Sequence, residues 1–270
     1  MKNQVTKYLI ENKQLRLYLL SGKQIYSTVK ELSLVEADAN QFIKALNITA
    51  LVNALTIGKQ RISFTFSSKN KKNKLSTDSF SNHTITGTAT LQELPTNFKK
   101  GTIQTISSLE GQFGSAHTSY SLMKTGDFYS DIEAYFADSE QTPTYFYPIS
   151  TEENAENIVL LLQPLPFALD EVVLSSLEQI EVLRKDLGLA TIETVESNLA
   201  VLFSDQQFLG HTSINYHCGC SKQMFLPLIF SLSKKEVEEL VTQKENLEAI
   251  CPLCGKSYTF LPEDILFYLQ

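Results

Sequence analysis

All four cysteines of this 270-residue chain fall within 37 residues of its C-terminal part, Cys218 and Cys220 as C-G-C and Cys251 and Cys254 as C-P-L-C. Two close-set pairs, with 30 residues between them, can bring four sulfurs to one point while the intervening chain makes a compact excursion. That is what a tetrahedral, closed zinc site requires. Two alternatives compete. Paired disulfides suit a secreted domain, but the opening MKNQVTKYLI lacks the apolar core and small-residue cleavage site of a secretory leader, so a reducing cytoplasm is expected. A redox C-x-x-C pair belongs between the strand and helix of a βαβ unit, whereas Cys251 and Cys254 follow a charged helical stretch. His217 adjoins the first pair, and sulfur-only ligation by Cys218, Cys220, Cys251 and Cys254 of one Zn2+ is the preferred reading.

No second constellation points to catalysis. His83, His117, His211 and His217 are scattered, and the chain has no nucleophile elbow, phosphate-binding glycine loop or HExxH helix. Glu133, Asp138 and Glu140 lie on or beside one helix and read as a solvated face rather than an acid/base pair. The expectation is a protein that is not an enzyme. A net charge of −7 opposes nucleic-acid binding, which needs a concentrated positive surface. The basic run from Ser67 to Lys74 carries no aromatic residue for base stacking and reads as a solvated hairpin loop. No apolar run reaches the ~18 residues of a membrane helix. The alternative function kept open is a zinc-ribbon binding module whose four-cysteine site is purely structural.

The remaining elements must position those sulfurs. Apolar clusters at Tyr8–Ile10 and Leu15–Leu20 predict a strand hairpin, and steps of three and four from Phe42 to Leu55 predict a helix over 37–55. Strict alternation in Arg61–Ser67 predicts a half-buried strand. Further strands are expected at 83–91, 101–107, 118–123, 144–149 and 157–162, with connections too short for helical crossovers, hence an antiparallel sheet. Helical spacing returns at 126–139 and is stopped by Pro143. Two amphipathic helices follow, at 169–187 and after the N-cap Thr191. Ser233 and Glu236 make a capping box between the cysteine pairs, and the apolar run Met224–Phe230 contains Pro227, which interrupts any helix passing through it. The expected fold class is α+β: a mainly antiparallel sheet packed with helices over 1–168, a helical linker over 169–210 and a small four-cysteine zinc domain over 211–270.

Two motifs together carry a family resemblance. C-x-C followed some thirty residues later by C-x-x-C, and far upstream the stretch GDFYSDIEAYFADSEQTP from Gly126 to Pro143, resemble the redox-regulated 33-kDa chaperonins, the zinc-thiolate holdases of the bacterial cytosol. The resemblance covers nearly the whole chain. It departs after the first alternating strand, where the family's glycine-rich turn is replaced by Ser68–Lys74, and at Met224–Phe230, which replaces a more polar helix. The resemblance implies a zinc-bound, inactive reduced state. It also implies an oxidised, ATP-independent chaperone that binds unfolded or partially folded client proteins, commonly as a homodimer. Once one sulfur is oxidised its near neighbour can resolve it, so the expected disulfides are Cys218–Cys220 and Cys251–Cys254.

Overall fold

The computed structural model describes residues 2–32, 34–56, 58–109, 116–149, 156–217, 220–243, 246–251, 256–262 and 264–265. The chain divides into two compact units, Met1–His217 and Cys218–Gln270.

The first unit begins with the expected hairpin, β1 (Asn3–Ile10) and β2 (Leu15–Ser21), joined through Glu11, Asn12 and Lys13 at positive φ. A short helix α1 (Lys23–Lys30) and the long helix α2 (Glu36–Leu55) follow, then strands β3 (Gln60–Ser67), β4 (Asn73–Ser79), β5 (Thr84–Leu91), β6 (Thr102–Leu109) and β7 (His117–Leu122). Helix α3 (Phe128–Asp138), strands β8 (Tyr145–Pro148) and β9 (Ile158–Pro164), helices α4 (Asp170–Asp186) and α5 (Ile192–Leu202) and strand β10 (Gln207–Tyr216) complete it. The ten strands form one sheet in the order β7-β6-β3-β4-β5-β10-β1-β2-β9-β8. Every pairing is antiparallel except a two-residue parallel bridge between β10 and β5. The α+β class and antiparallel sheet expected from the alternation are therefore present. Among the described residues no helix is long and apolar enough to cross a membrane.

Helix α2 is buried nearly all round, from Phe42 and Leu46 through Ile48 and Leu51, so it is the centre of one core and not a surface helix. Phe64 and Phe66 of β3 meet it there, and Phe128 of α3 stacks on Phe66 with centroids 4.1 Å apart. Phe128, Ile132, Tyr135 and Phe136, the apolar positions of the Gly126–Pro143 motif, are all buried. That motif is thus the packing face of one helix, and Asp127 caps it by accepting from the Ser130 N–H at 3.1 Å.

The other face of β1, β2 and β9 builds a second core. Because side chains alternate across a strand, Leu20 and Leu161 point to the first core while Leu17, Leu19, Leu160 and Leu162 point to the second. This two-sided burial explains why β2 and β9 are so rich in leucine. Ile180 of α4 and Val195 and Leu199 of α5 close the second core, so both helices, expected as a linker over 169–210, pack within the first unit. Strand β10 likewise takes residues 211–216, expected at the head of the zinc module, into the large sheet.

Three elements escape the alternation rule. In β4 the inward positions are Asn73, Leu75, Thr77 and Ser79, only one of them apolar, so its register is invisible to hydropathy. The loop it closes is the basic run, now a tight β3–β4 turn with Lys71 at φ 61° and Ser68 N–H bonded to Asn73 O at 2.9 Å. Strand β10 carries Gly210 at φ 127° beside a register shift at Lys7/Tyr8, and a bulge breaks period two. Helix α1 is only eight residues long.

A buried polar knot ties α2 and α3 to the residues that precede β9 and α1. Asn47 of α2 donates to the Tyr129 hydroxyl at 3.1 Å and to Asn157 Oδ1 at 2.8 Å, and Asn157 donates to Gly22 O at 3.0 Å. A Cβ on Gly22 would meet Asn157 Nδ2 at 2.4 Å, which is why glycine stands there. Removing one partner of a buried bond costs the desolvation of the groups left behind, about 1–3 kcal/mol. Asn47→Ala is expected to lower stability by that amount in urea titration.

Between α3, β8 and α4 lies a cleft of about 290 Å3 lined by Lys44, Asp127, Glu133, Tyr147 and Arg184 among others. Burial pushes the Glu133 carboxyl from its ordinary 4.5 up to about 7, although it accepts the Phe146 N–H at 2.7 Å. The folded chain therefore holds a proton there that the unfolded chain releases near pH 4.5. This contribution to stability is complete below that pH and is lost as pH rises toward 7. Glu133→Gln, which keeps the acceptor without the charge, is expected to be more stable than the parent at pH 8. The difference should be on the order of 1–2 kcal/mol, reduced by partial solvation, and should vanish near pH 4.5 in paired thermal melts.

Candidate metal centre

The second unit is built from short pieces. A 3-10 helix (Lys222–Phe225) runs directly into α6 (Leu226–Phe230), with Pro227 in the first turn, where no N–H is needed. The proline thus starts a helix instead of interrupting one. The capping box forms as expected: Ser233 N–H donates to the Glu236 carboxylate at 2.7 Å and Glu236 N–H to Ser233 Oγ at 3.3 Å, opening α7 (Lys234–Gln243). Strands β11 (Leu247–Ile250) and β12 (Ser257–Phe260) then pair as an antiparallel hairpin.

Among the described residues the apolar core of this unit is Ile229, Ala249, Phe260 and Ile265, with Phe225, Leu226, Leu240 and Tyr258 partly buried against it. The apolar stretch 224–230 is split by helical geometry. Ile229 faces inward, whereas Met224, Leu228 and Phe230 are 60%, 54% and 56% exposed. Lys222 anchors the 3-10 helix from the other side, with Nζ 2.7 Å from Asp264 and 4.9 Å from the Phe260 ring centroid.

One cysteine of each pair is described. Cys251 follows β11, is 2% exposed, and donates its N–H to Lys256 O at 2.9 Å, which continues the hairpin beyond its last strand pair. Cys220 precedes the 3-10 helix. Its carbonyl accepts the Tyr258 hydroxyl at 2.8 Å, and its Sγ lies 3.1 Å from the same oxygen. Both cysteines are thereby attached to the β11–β12 hairpin, one through the backbone and one through Tyr258. Cys218 and Cys254 lie outside the described residues. Thiolate sulfur is a donor that closed tetrahedral zinc sites use. A buried Cys251 beside the hairpin and a Cys220 tethered to the same hairpin through Tyr258 fit that chemistry. Among the described residues no group of three or more His, Cys, Asp or Glu gathers as an alternative cage. His217 belongs to the first unit, where its N–H donates to Ile85 O at 3.1 Å.

Tyr258 is the residue that spacing did not single out. It sits 38 positions from Cys220, so only the folded pairing reveals the contact. The one trace in the sequence is the alternation Ser257-Tyr-Thr-Phe260 immediately beyond the second cysteine pair. Of the three acidic residues weighed as an acid/base pair, Glu133 lines the polar cleft of the first unit, while Asp138 and Glu140 are exposed and Glu140 accepts the Tyr135 hydroxyl.

A family model described as Hsp33 protein matches residues 3–261. The 33 kDa chaperonin of Streptococcus agalactiae serotype III (strain NEM316) is 27% identical over 159 residues, which is 56% of this chain and 55% of that protein. The 33 kDa chaperonin of Caldanaerobacter subterraneus subsp. tengcongensis is 30% identical over 151 residues, 50% and 49% of the two chains. The chain thus spans about half the length of the curated relatives it matches. The crystal structure of the 33 kDa chaperonin (heat shock protein 33 homolog) from Thermotoga maritima superposes with a TM-score of 0.72 at 18% identity, covering 100% of this chain and 98% of that one. That likeness is one of fold. With the family match running from residue 3 to residue 261, the chain belongs to the Hsp33 protein family.

Proposed function

We propose that the protein is a redox-regulated, ATP-independent chaperone that holds unfolding client proteins once its cysteines are oxidised. The observation that carries this reading is a four-cysteine module with very little core. The described residues of 218–270 bury only four apolar side chains, whereas a segment of this size needs metal or disulfide support to be secure.

In the reduced protein Cys218, Cys220, Cys251 and Cys254 hold one Zn2+. A structural zinc contributes about 10–16 kcal/mol in small finger peptides and keeps its sulfur ligands as thiolates, the form that oxidants attack. Attack by peroxide on one thiolate gives a sulfenic acid and releases hydroxide. The neighbouring thiolate then displaces the second hydroxide, closing a disulfide. Each pair gives up two electrons, and one peroxide becomes two waters after proton uptake. Cys218 with Cys220 and Cys251 with Cys254 are the pairs placed by sequence to do this.

A module without its sulfur clamp loses the cover over Ile229 and Phe225, adding to Met224, Leu228 and Phe230, which are already exposed. The first unit offers exposed Leu174, Val182, Leu189 and Val201 on α4, on α5 and between them. Exposed apolar side chains of this kind are what a holdase can present to a client. The printed names of the curated relatives, 33 kDa chaperonin, support the same reading, and a homodimer of the oxidised form accords with it.

Peroxide with mild heat is expected to release about one zinc per chain and to make the protein suppress light scattering by a chemically denatured client. The reduced protein should leave the scattering unchanged. Zinc release without any suppression would overturn the chaperone reading while leaving the metal site in place.

A further inference from the structure

The two cysteine pairs are far apart in sequence, yet one side chain spans them. Tyr258 stands on β12 opposite Ala249 of β11, two residues before Cys251, and its hydroxyl reaches across to the segment that carries Cys220. It donates to the Cys220 carbonyl at 2.8 Å and lies 3.1 Å from Cys220 Sγ. The ring itself is fixed by its neighbours. Phe225 packs on it with centroids 5.2 Å apart, and the Lys256 ammonium sits 5.3 Å from its centroid. A phenol held in this way has one proton and two oxygen lone pairs to offer. A Cys220 thiol can donate into the oxygen, and a Cys220 thiolate can share the proton, so the sulfur keeps its place in both states.

We propose that Tyr258 is the positioning residue of the cysteine site, its hydroxyl holding the Cys220 segment against the β11–β12 hairpin that leads into Cys251. For its metal-binding consequence this rests on the function proposed above. The tether itself does not. Outer-shell partners that orient ligands are worth roughly 10- to 100-fold in metal affinity. The same hydrogen bond restrains Cys220 Sγ from reacting, because a thiolate that accepts a hydrogen bond is a poorer nucleophile toward an incoming electrophile. The 3-10 helix that follows Cys220 has a second anchor in Lys222–Asp264 at 2.7 Å, so loss of the hydroxyl releases the sulfur without detaching the segment.

Tyr258→Phe keeps the ring and its packing and removes only the tether. In the reduced full-length chain, competition with a chromogenic chelator is expected to show zinc affinity lowered roughly 10-fold or more. Cysteine-resolved mass spectrometry should show Cys220 alkylated several-fold faster relative to Cys251, with the far-ultraviolet circular dichroism of the parent retained. Wild-type values in both measurements would overturn the proposal. So would a Tyr258→Leu variant that fails while Tyr258→Phe does not, since the ring and not the hydroxyl would then be responsible. A wild-type chain that holds no zinc would refute the proposed function instead, and the Cys220 to Cys251 alkylation ratio would still decide the tether.

Discussion

The interaction on which the C-terminal unit depends is the junction of its two cysteine-bearing segments. Ile229, Ala249, Phe260 and Ile265 are the buried apolar side chains of its described residues, a cluster far smaller than either core of the first unit. Apolar burial scales with side-chain area, and chain ordering costs about 1–2 kcal/mol per residue for the backbone alone. Among the described residues, so small a core cannot offset that by itself. The hydrogen bonds at Tyr258, the Lys222–Asp264 pair and the capping box at Ser233 are local supports. They orient the chain more than they stabilise it, because exposed ion pairs contribute little. In the proposed function, a sulfur clamp is the stabilising term that chemistry can switch.

The first unit is arranged differently. Its sheet packs against α2 with α1 and α3 on one face, and around β1, β2 and β9 the other face packs against α4 with α5, so its stability does not hang on one site. Such a platform persists when a neighbouring unit opens. A robust sheet in one unit and the cysteines in the other suit the proposed redox-triggered holdase, in which only the part bearing the sensor should respond.

What the sequence made legible follows from which forces are local. Cysteine spacing, capping residues and the leucine runs of β2 and β9 depend on residue type and short-range period, and each is recognisable without coordinates. Strand β4 is hidden because its inward face is mostly Asn, Thr and Ser. Strand β10 is hidden because its register is set by β1 and β5, far away in sequence. The same long-range pairing draws residues 211–216 into the sheet and α4 and α5 onto it, where amphipathicity alone read as a linker. The four candidate ligands stand out by residue type; Cys251 follows β11 and Cys220 is tied to the same hairpin through Tyr258, while Cys218 and Cys254 lie outside the described residues. The contact of Tyr258 with Cys220 was not legible, for it exists only once strands and sulfurs have come together.

The central claim is that sulfur-bound metal holds the C-terminal unit folded. Native mass spectrometry of the reduced chain, combined with counting the cysteines that alkylate without denaturant, addresses it directly. The account predicts one zinc per chain and four shielded cysteines, all four becoming reactive when a chelator removes the metal. A metal-free chain whose C-terminal unit stays folded with four reactive thiols would contradict it.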